Sequence, residues 1–599
     1  VTEPLVIATP PRSGAPLRLP GRALGLFGAS IAVALVAPWL LDTYTLNILI
    51  RAMFFAMLAL TVDVLWGYTG YLTFGQSAFF GAGAYAAGLV FTHLGFDPGH
   101  VWLAAGLAVL AAAAIAGLTG WLSFYSGSTP LYASVISLVL PIVMTQLLFS
   151  GGTFTGSSSG LTGYTTPDLS LEAWFRIAAG ALVLLTAASW LVVRSDGGRL
   201  LAAIRDNEMR CAYLGIDTAL LKIALLVVTA AISGAAGFGY ASFSGVVAPE
   251  LAGFVFGTEV IIWVALGGRG TLIGPVIGAL LIEWASAYLS GSLPFVWKLF
   301  VGIAFVLVIV LLPQGLLPPL LRVFGRAKRA DLPALTVTLT EAPLAAHGTD
   351  ATQPVIELRG VAKHFGSHQV LSGIDFVAHR GELVSLIGPN GAGKTTLMRC
   401  MSDGAERSAG TVRIAGHDIR HAPAHACVRF GLGRKFQTAT IFETLTVAEC
   451  LRMARVRIAA PSWWRRSTML ALPPYALEVL RATELDHKLD VQARHLSHGE
   501  QQALELAMVL ALEPQVVLLD EPTAGLTLEE RSRIGRVLAD LAGCFGLCLL
   551  LVEHDLDFVR EISSRIVVLH QGKLALEGTV QEVVDSELVK TIYAGSGHD

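Results

Sequence analysis

Gly388, Pro389, Asn390, Gly391, Ala392, Gly393, Lys394, Thr395 and Thr396 follow the spacing G-x-x-x-x-G-K-[ST], that of a loop wrapped around phosphate. Its glycines let backbone N–H groups turn inward with no Cβ in the way. Lys394 can reach the β- and γ-phosphates, and Thr395 can hold Mg²⁺. A second group follows the apolar run Val516–Leu519. There Asp520 can hold Mg²⁺ through water, and Glu521 is placed to polarise an attacking water. Two carboxylates after a strand can also be a plain turn, but a phosphate loop upstream makes that the lesser reading. A third group is Leu496-Ser497-His498-Gly499-Glu500-Gln501. Ser497 and Gly499 head a helix, so a hydroxyl, backbone N–H groups and the helix dipole can face a phosphate. In isolation this would be only a helix cap.

Such groups need elements to hold them. Glu382–Ile387 reads as a buried strand and Lys394–Met401 as a helix, the strand–loop–helix context of a working phosphate loop. Val516–Leu519 reads as a central buried strand. From Val355 onward, strand-like and helical stretches alternate, as in an α/β domain.

Together these motifs resemble the ATPases of ABC transporters, whose signature is usually Leu-Ser-Gly-Gly-Gln. The resemblance covers residues 355–599. It implies that Ser497, Gly499 and Glu500 meet nucleotide, and that Gln437 senses the γ-phosphate and Mg²⁺. It also implies that His554 contacts the γ-phosphate and that Phe365 stacks on adenine. Taken alone, such a His or Phe would more often be structural. Two such domains meet head to tail in this family, with ATP between them. His498 stands where the signature usually has Gly, and Thr527 where the following loop usually has Asp or Asn. Both departures bear on communication between two ATP sites.

The rest of the chain is different in kind. The 599 residues are 54% hydrophobic and only 15% charged, with mean hydropathy +0.63. Long apolar runs fill residues 24–321, near 24–41, 46–66, 72–94, 101–125, 131–150, 174–193, 218–243, 256–289 and 296–312. Many such runs in series need a bilayer, because a soluble domain must offer polar faces to water. The first run is read as a retained anchor rather than a signal peptide, because the next is again apolar. A net charge of −3 gives no case for nucleic-acid binding. None of the six cysteines forms a C-x-x-C pair, and five lie in the later half, which suits a reduced cytosol. The expected division is a proline-rich flexible tail (1–20), a transmembrane permease domain (21–321), a linker (322–353) and an ABC ATPase domain (354–599). The fold class is thus a polytopic all-α membrane domain followed by an α/β P-loop ABC-type nucleotide-binding domain.

Arg194, Arg199, Arg205 and Arg210 put the loop 194–217 in the cytoplasm, and Arg322, Arg326, Lys328 and Arg329 do the same after residue 321. An even number of crossings must separate them. Run 256–289 therefore crosses twice or dips and returns, broken at Gly267-Gly268-Arg269-Gly270, either as part of a pathway or as tight small-residue packing. Arg51 and Asp63 are expected to snorkel to opposite interfaces. Gln76 either lines a pathway or bonds a neighbouring helix, and Cys211 offers a label for the cytoplasmic loop. Leu200, Leu201 and Ile204 share one face of a short helix, which needs an apolar partner: the ATPase near Gln437, or the membrane surface.

The membrane half resembles permeases of branched-chain amino acid and urea uptake systems. The resemblance is carried by Gly67-Tyr-Thr-Gly70 through Phe80, by Gly198–Glu208 with Leu214-Gly215, and by Glu259–Trp263 with Gly267–Pro275. Gly433–Thr438 and Leu496–Gly499 look closer to urea-system ATPases. The resemblance implies an importer in a bacterial inner membrane, powered by ATP and Mg²⁺. It also implies a second permease and a second ATPase (or a second copy of this chain), a periplasmic substrate-binding protein and a lipid bilayer, with no nucleic acid. An exporter half-transporter is the alternative, disfavoured by short cytoplasmic loops. A non-transport ABC ATPase is disfavoured by the membrane half, and a receptor with a regulatory nucleotide site would not need both Glu521 and His554.

Overall fold

The computed structural model describes residues 14–16, 21–125, 130–292, scattered positions between 296 and 319, 337–342, 353–525, 527–587 and 589–590. Most of the expected tail, of the run 296–312 and of the linker, including its basic residues 322–329, lies outside the described residues.

The apolar runs are helices: α1 (Gly21–Leu40), α2 (Thr43–Thr69), α3 (Gln76–His93), α4 (Pro98–Phe124), α5 (Pro130–Ser150) and α6 (Leu171–Arg194). After two short helices, α7 (Asp196–Asp206) and α8 (Glu208–Tyr213), come α9 (Thr218–Ser244), α10 (Phe254–Gly267) and α11 (Ile273–Ser292). Among the described residues, α2, α4, α5, α6, α9 and α11 are long and apolar enough to cross a membrane. Short polar side chains start several of them: Asp42, Asp97, Ser170 and Asp217 each accept an N–H of the first turn.

Helix α3 is packed inside the bundle. A Cβ on its Gly83 would sit 2.2 Å from the carbonyl oxygen of Gly234 in α9, so only glycine permits this approach. Gln76 is buried and accepts from Ser233 at 2.9 Å, which makes it a tie between helices.

Run 256–289 is two helices, α10 and α11, interrupted at Gly268–Leu272. Helix α10 has 14 residues, about 21 Å at 1.5 Å per residue, short of a full crossing. The break explains Asp63, which does not snorkel as expected. It is fully buried and accepts from the N–H groups of Gly270 (2.6 Å) and Leu272 (3.0 Å). A chain break leaves N–H groups unpaired, and where water is scarce a carboxylate from a neighbouring helix can satisfy them. Arg51 is exposed.

The later half is built on a six-stranded sheet in the order Leu432–Lys435, Val516–Asp520, Cys548–Val552, Leu383–Ile387, Arg565–His570 and Lys573–Gly578. All neighbours are parallel except the last pair. An antiparallel sheet carries Pro354–Phe365 between His368–His379 and Ala409–Ile414. Helix α12 (Lys394–Ser402) follows the phosphate loop, and α13 (Val447–Ala454), α14 (Pro474–Ala482) and α15 (His498–Leu510) form a helical layer. Two segments expected to be tail and linker contribute strands to separate two-stranded sheets here. Gly14–Pro16 pairs with Arg465–Ser467, and Thr338–Glu341 pairs with Met469–Leu472. An open strand edge accepts such pairing, and Pro16 is tolerated at an edge.

Cys211 cannot serve as the label. It is fully buried, and burial pushes its thiol well above the ordinary cysteine range. Cys544 is exposed. A membrane-impermeant maleimide should label Cys544 in inside-out vesicles and spare both cysteines in intact cells. Labelling of Cys544 from outside intact cells would reverse the orientation.

Candidate nucleotide site and its contact with the membrane half

Strand Leu383–Ile387, buried at every position, delivers the chain to Gly388, whose φ is +151°. A Cβ there would stand 2.1 Å from the carbonyl oxygen of Leu569, so the turn into the loop requires glycine. The loop ends at Gly393, and α12 starts at Lys394. Lys394 folds back over the loop, donating to the carbonyls of Gly388 (2.6 Å) and Pro389 (3.1 Å). Burial pulls its ammonium below the usual lysine range, opposed by the nearby carboxylates of Glu521 and Asp520.

Strand Val516–Asp520 is buried throughout and holds Asp520, whose carboxyl burial pushes upward while Arg434 opposes. Glu521 then turns the chain with φ +43°, a left-handed conformation uncommon outside glycine and often found at functional sites. Its N–H donates to Val552 at 2.9 Å, which pins the turn to the next strand. The carboxylate receives Gln437 Nε2 at 2.8 Å and lies 2.8 Å from His554 Nε2. Gln437, Glu521 and His554, far apart in sequence, thus form one cluster. Phe365 is exposed, with the Lys363 ammonium 4.8 Å from its ring centre.

Ser497 is the N-cap of α15, accepting from the N–H of Glu500, while Glu500 accepts from the N–H of Ser497. This reciprocal capping box orders the helix start. Glu500 also pairs with Lys488. His498 lies beside Gly525: a Cβ there would be 2.9 Å from the imidazole. Thr527 caps the next helix, Leu528–Gly543.

The short helices between α6 and α9 are sunk into the ATPase half. Leu200, Ala203 and Ile204 of α7, with Cys211, Leu214 and Ile216, share one apolar core with Phe442, Leu445, Cys450 and Leu451. Asp206 accepts from the N–H (2.9 Å) and hydroxyl (2.7 Å) of Thr444. The docking surface is therefore protein, and the membrane-surface alternative falls.

Sequence reasoning missed the strongest polar contact. Arg210, fully buried, donates to the Glu505 carboxylate at 3.2 Å and to the carbonyl oxygens of Arg434 (3.1 Å) and Glu505 (3.3 Å). The same Glu505 oxygen accepts from the Phe436 N–H (3.3 Å) and the Thr440 hydroxyl (2.7 Å), on either side of Gln437. Tyr213 sets its ring edge-on to Phe436, with centres 4.9 Å apart. Arg210 was visible as one of four loop arginines. Glu505, at an apolar-looking position of α15, carried no signal of its own.

A membrane bundle that buries a cytoplasmic loop in a phosphate-loop domain defines a multi-pass membrane protein with a cytoplasmic ATPase domain. Residues 44–312 match the family described as branched-chain amino acid transport system, permease component, and residues 371–524 match the ABC transporter family. The ATP-binding protein BraF of high-affinity branched-chain amino acid transport in Pseudomonas aeruginosa is 32% identical over 253 residues, covering 41% of this chain and 99% of BraF. LivG of Escherichia coli K12, with the same role by name, is 32% identical over 254 residues, covering 41% and 99%. An ATP-binding cassette of an ABC transporter solved in its ADP conformation aligns with 41% of this chain and all of its own length, at 24% identity and a TM-score of 0.36. The chain belongs to the ABC transporters, with a branched-chain amino acid type permease and an ATP-binding ABC ATPase in one polypeptide.

Proposed function

We propose that this chain drives uptake of a small polar solute of the branched-chain amino acid, urea or short amide class, with residues 21–321 as permease and 354–599 as ATPase. A second permease half, a second ATPase and a substrate-binding protein complete the machine. The observation that carries the reading is the burial of α7 and α8 beside Gln437. A loop leaving the membrane helices touches, through Arg210 and Glu505, the segment whose glutamine holds Glu521. A change at Glu521 therefore has a short polar route to the membrane half.

The residues suit their proposed roles. The loop 388–396 cradles phosphates with backbone N–H groups, and Lys394 neutralises their charge. Thr395, Gln437 and Asp520 would hold Mg²⁺, which supplies charge neutralisation at the phosphates when bound. Glu521 takes a proton from the attacking water, and Gln437 and His554 aim its carboxylate. Phe365 offers an exposed ring for adenine. Ser497 and Gly499 would close over the phosphates of a facing ATPase, with Glu500 ordering them through the capping box. The short α7 and α8, in place of long cytoplasmic helices, support import over export.

Cells lacking this chain should lose uptake of the transported solute and regain it with the wild-type chain. They should not regain it with Lys394→Ala, which removes the phosphate contact. Restored uptake by Lys394→Ala, with the partner ATPase site disabled, would refute ATP drive through this domain.

A further inference from the structure

Between α13 and α14 the ATPase half carries the segment 455–472, and three contacts put it at the foot of the membrane helices. Helix α6 has 24 residues, about 36 Å, longer than a hydrocarbon core of about 30 Å, so its ends reach the headgroups. Trp190 and Arg194 mark the cytoplasmic end, with the guanidinium 3.9 Å from the indole centre, a pairing suited to the interface. Three residues on, the N–H of Gly197 donates to the Ser462 carbonyl at 3.0 Å. A Cβ on Gly197 would stand 2.3 Å from the Trp463 ring, so glycine lets the indole lie against the backbone. Gly215, three residues before α9, comes near Arg457: a Cβ there would stand 3.7 Å from the Arg457 Cδ. The third contact is the strand Gly14–Pro16 on Arg465–Ser467. Pro16 is five residues from the start of α1, at most about 18 Å of chain. Phe27 of α1 meets Trp190 edge-on, with ring centres 6.2 Å apart, which sets the start of α1 level with the end of α6. The segment is thus tethered beside the cytoplasmic ends of α1, α6 and α9.

Its outer surface is basic and aromatic. Trp464 is 59% exposed and Ile458 43%. Arg457 and Arg465 are exposed too, and among the described residues neither makes an ion pair. Behind them the charges do not cancel. Asp196 and Glu449 are answered by Arg199, Arg452 and Arg466, and Arg194 lies within electrostatic reach of Arg199 and Arg466. Nη2 of Arg452 and Nη1 of Arg466 are buried donors without an acceptor among the described residues. We infer that the rim formed by Arg457, Ile458, Trp464 and Arg465 is a docking surface for anionic lipid headgroups of the cytoplasmic leaflet. Basic clusters immediately cytoplasmic of membrane helices draw anionic lipid. The guanidinium fork matches a lipid phosphate, and a tryptophan settles at headgroup level with its ring toward the acyl chains. The inference rests on the membrane position of the chain and is independent of the solute it carries.

The test is made on the assembled complex in phosphatidylcholine vesicles. A fluorescent maleimide is attached through Ala460→Cys, an exposed position on the same segment, in a Cys544→Ala background that removes the exposed cysteine. Phosphatidylglycerol or phosphatidylcholine with a nitroxide near the top of one acyl chain is then added at the same small fraction. Phosphatidylglycerol should quench the label at least twice as strongly as phosphatidylcholine. Arg457→Gln with Arg465→Gln should make the two lipids equal. Arg457→Lys with Arg465→Lys should keep most of the preference, because charge does the attracting. Trp464→Ala should weaken quenching by both lipids. All the changed side chains are exposed, so the complex should assemble in each case. Equal quenching by the two lipids in the parent rim overturns the inference, and so does a preference that survives loss of both arginines. Quenching by neither lipid takes the segment off the bilayer and overturns it as well. Unchanged quenching in Trp464→Ala removes the tryptophan from the surface.

Discussion

Replacing Glu521 with Gln should lower ATP turnover by about 10²–10⁴-fold, the usual contribution of a positioned general base, while leaving ATP binding intact. The shape of the site survives, because Gln can still meet Gln437 and His554, each now 2.8 Å from the carboxylate. What disappears is the group that accepts the proton of water. The strained turn at Glu521, with its N–H on Val552, should hold the new amide where the carboxylate stood. The measurement is steady-state phosphate release from the assembled complex, beside nucleotide binding, with the partner's ATP site disabled. Turnover within a factor of two of the parent complex would remove Glu521 from its role and point to His554 instead.

Ile204→Glu should abolish transport while ATP still binds at Lys394. Ile204 is almost wholly buried, in the apolar core that joins α7 to the ATPase half. A carboxylate placed there has no designed partner, and burying it costs several kcal/mol, enough to undock the loop. Undocking would also strand the Arg210–Glu505 pair, whose value depends on staying dry and paired. Met209, on the same loop but exposed, provides the contrast: Met209→Glu should transport normally. Uptake by cells and labelled-ATP crosslinking to the purified complex read the two halves separately. Transport by Ile204→Glu at the parent rate, with normal expression, would detach α7 from coupling.

Motif spacing alone determined a great deal here. The order of glycines, Lys394 and Thr395 announces the phosphate loop, because that backbone geometry tolerates few alternatives. The runs of apolar residues announce a membrane bundle, because hydrocarbon forbids unpaired polar backbone. The glycines of 267–270 marked where run 256–289 is interrupted, because glycine weakens a helix and permits a turn. Of the three apolar residues whose spacing marked a docking face on α7, Leu200 and Ile204 join the ATPase core; Leu201 is buried but lies outside it.

Tertiary structure decided the rest, wherever the answer depended on what arrives from elsewhere in the chain. Asp63 reads as an interfacial carboxylate until the broken segment brings the N–H groups of Gly270 and Leu272 against it. Gln437, Glu521 and His554 become a cluster only because three neighbouring parallel strands end side by side and carry their loops to the same end of the sheet. Arg210 and Glu505 lie 295 positions apart, and nothing local to either distinguishes a buried pair from two surface charges. Spacing reports which residues share a helix face or a strand end. Which partner relieves a buried charge is settled by packing between distant segments, because desolvation is a property of the assembled interior and not of the residue.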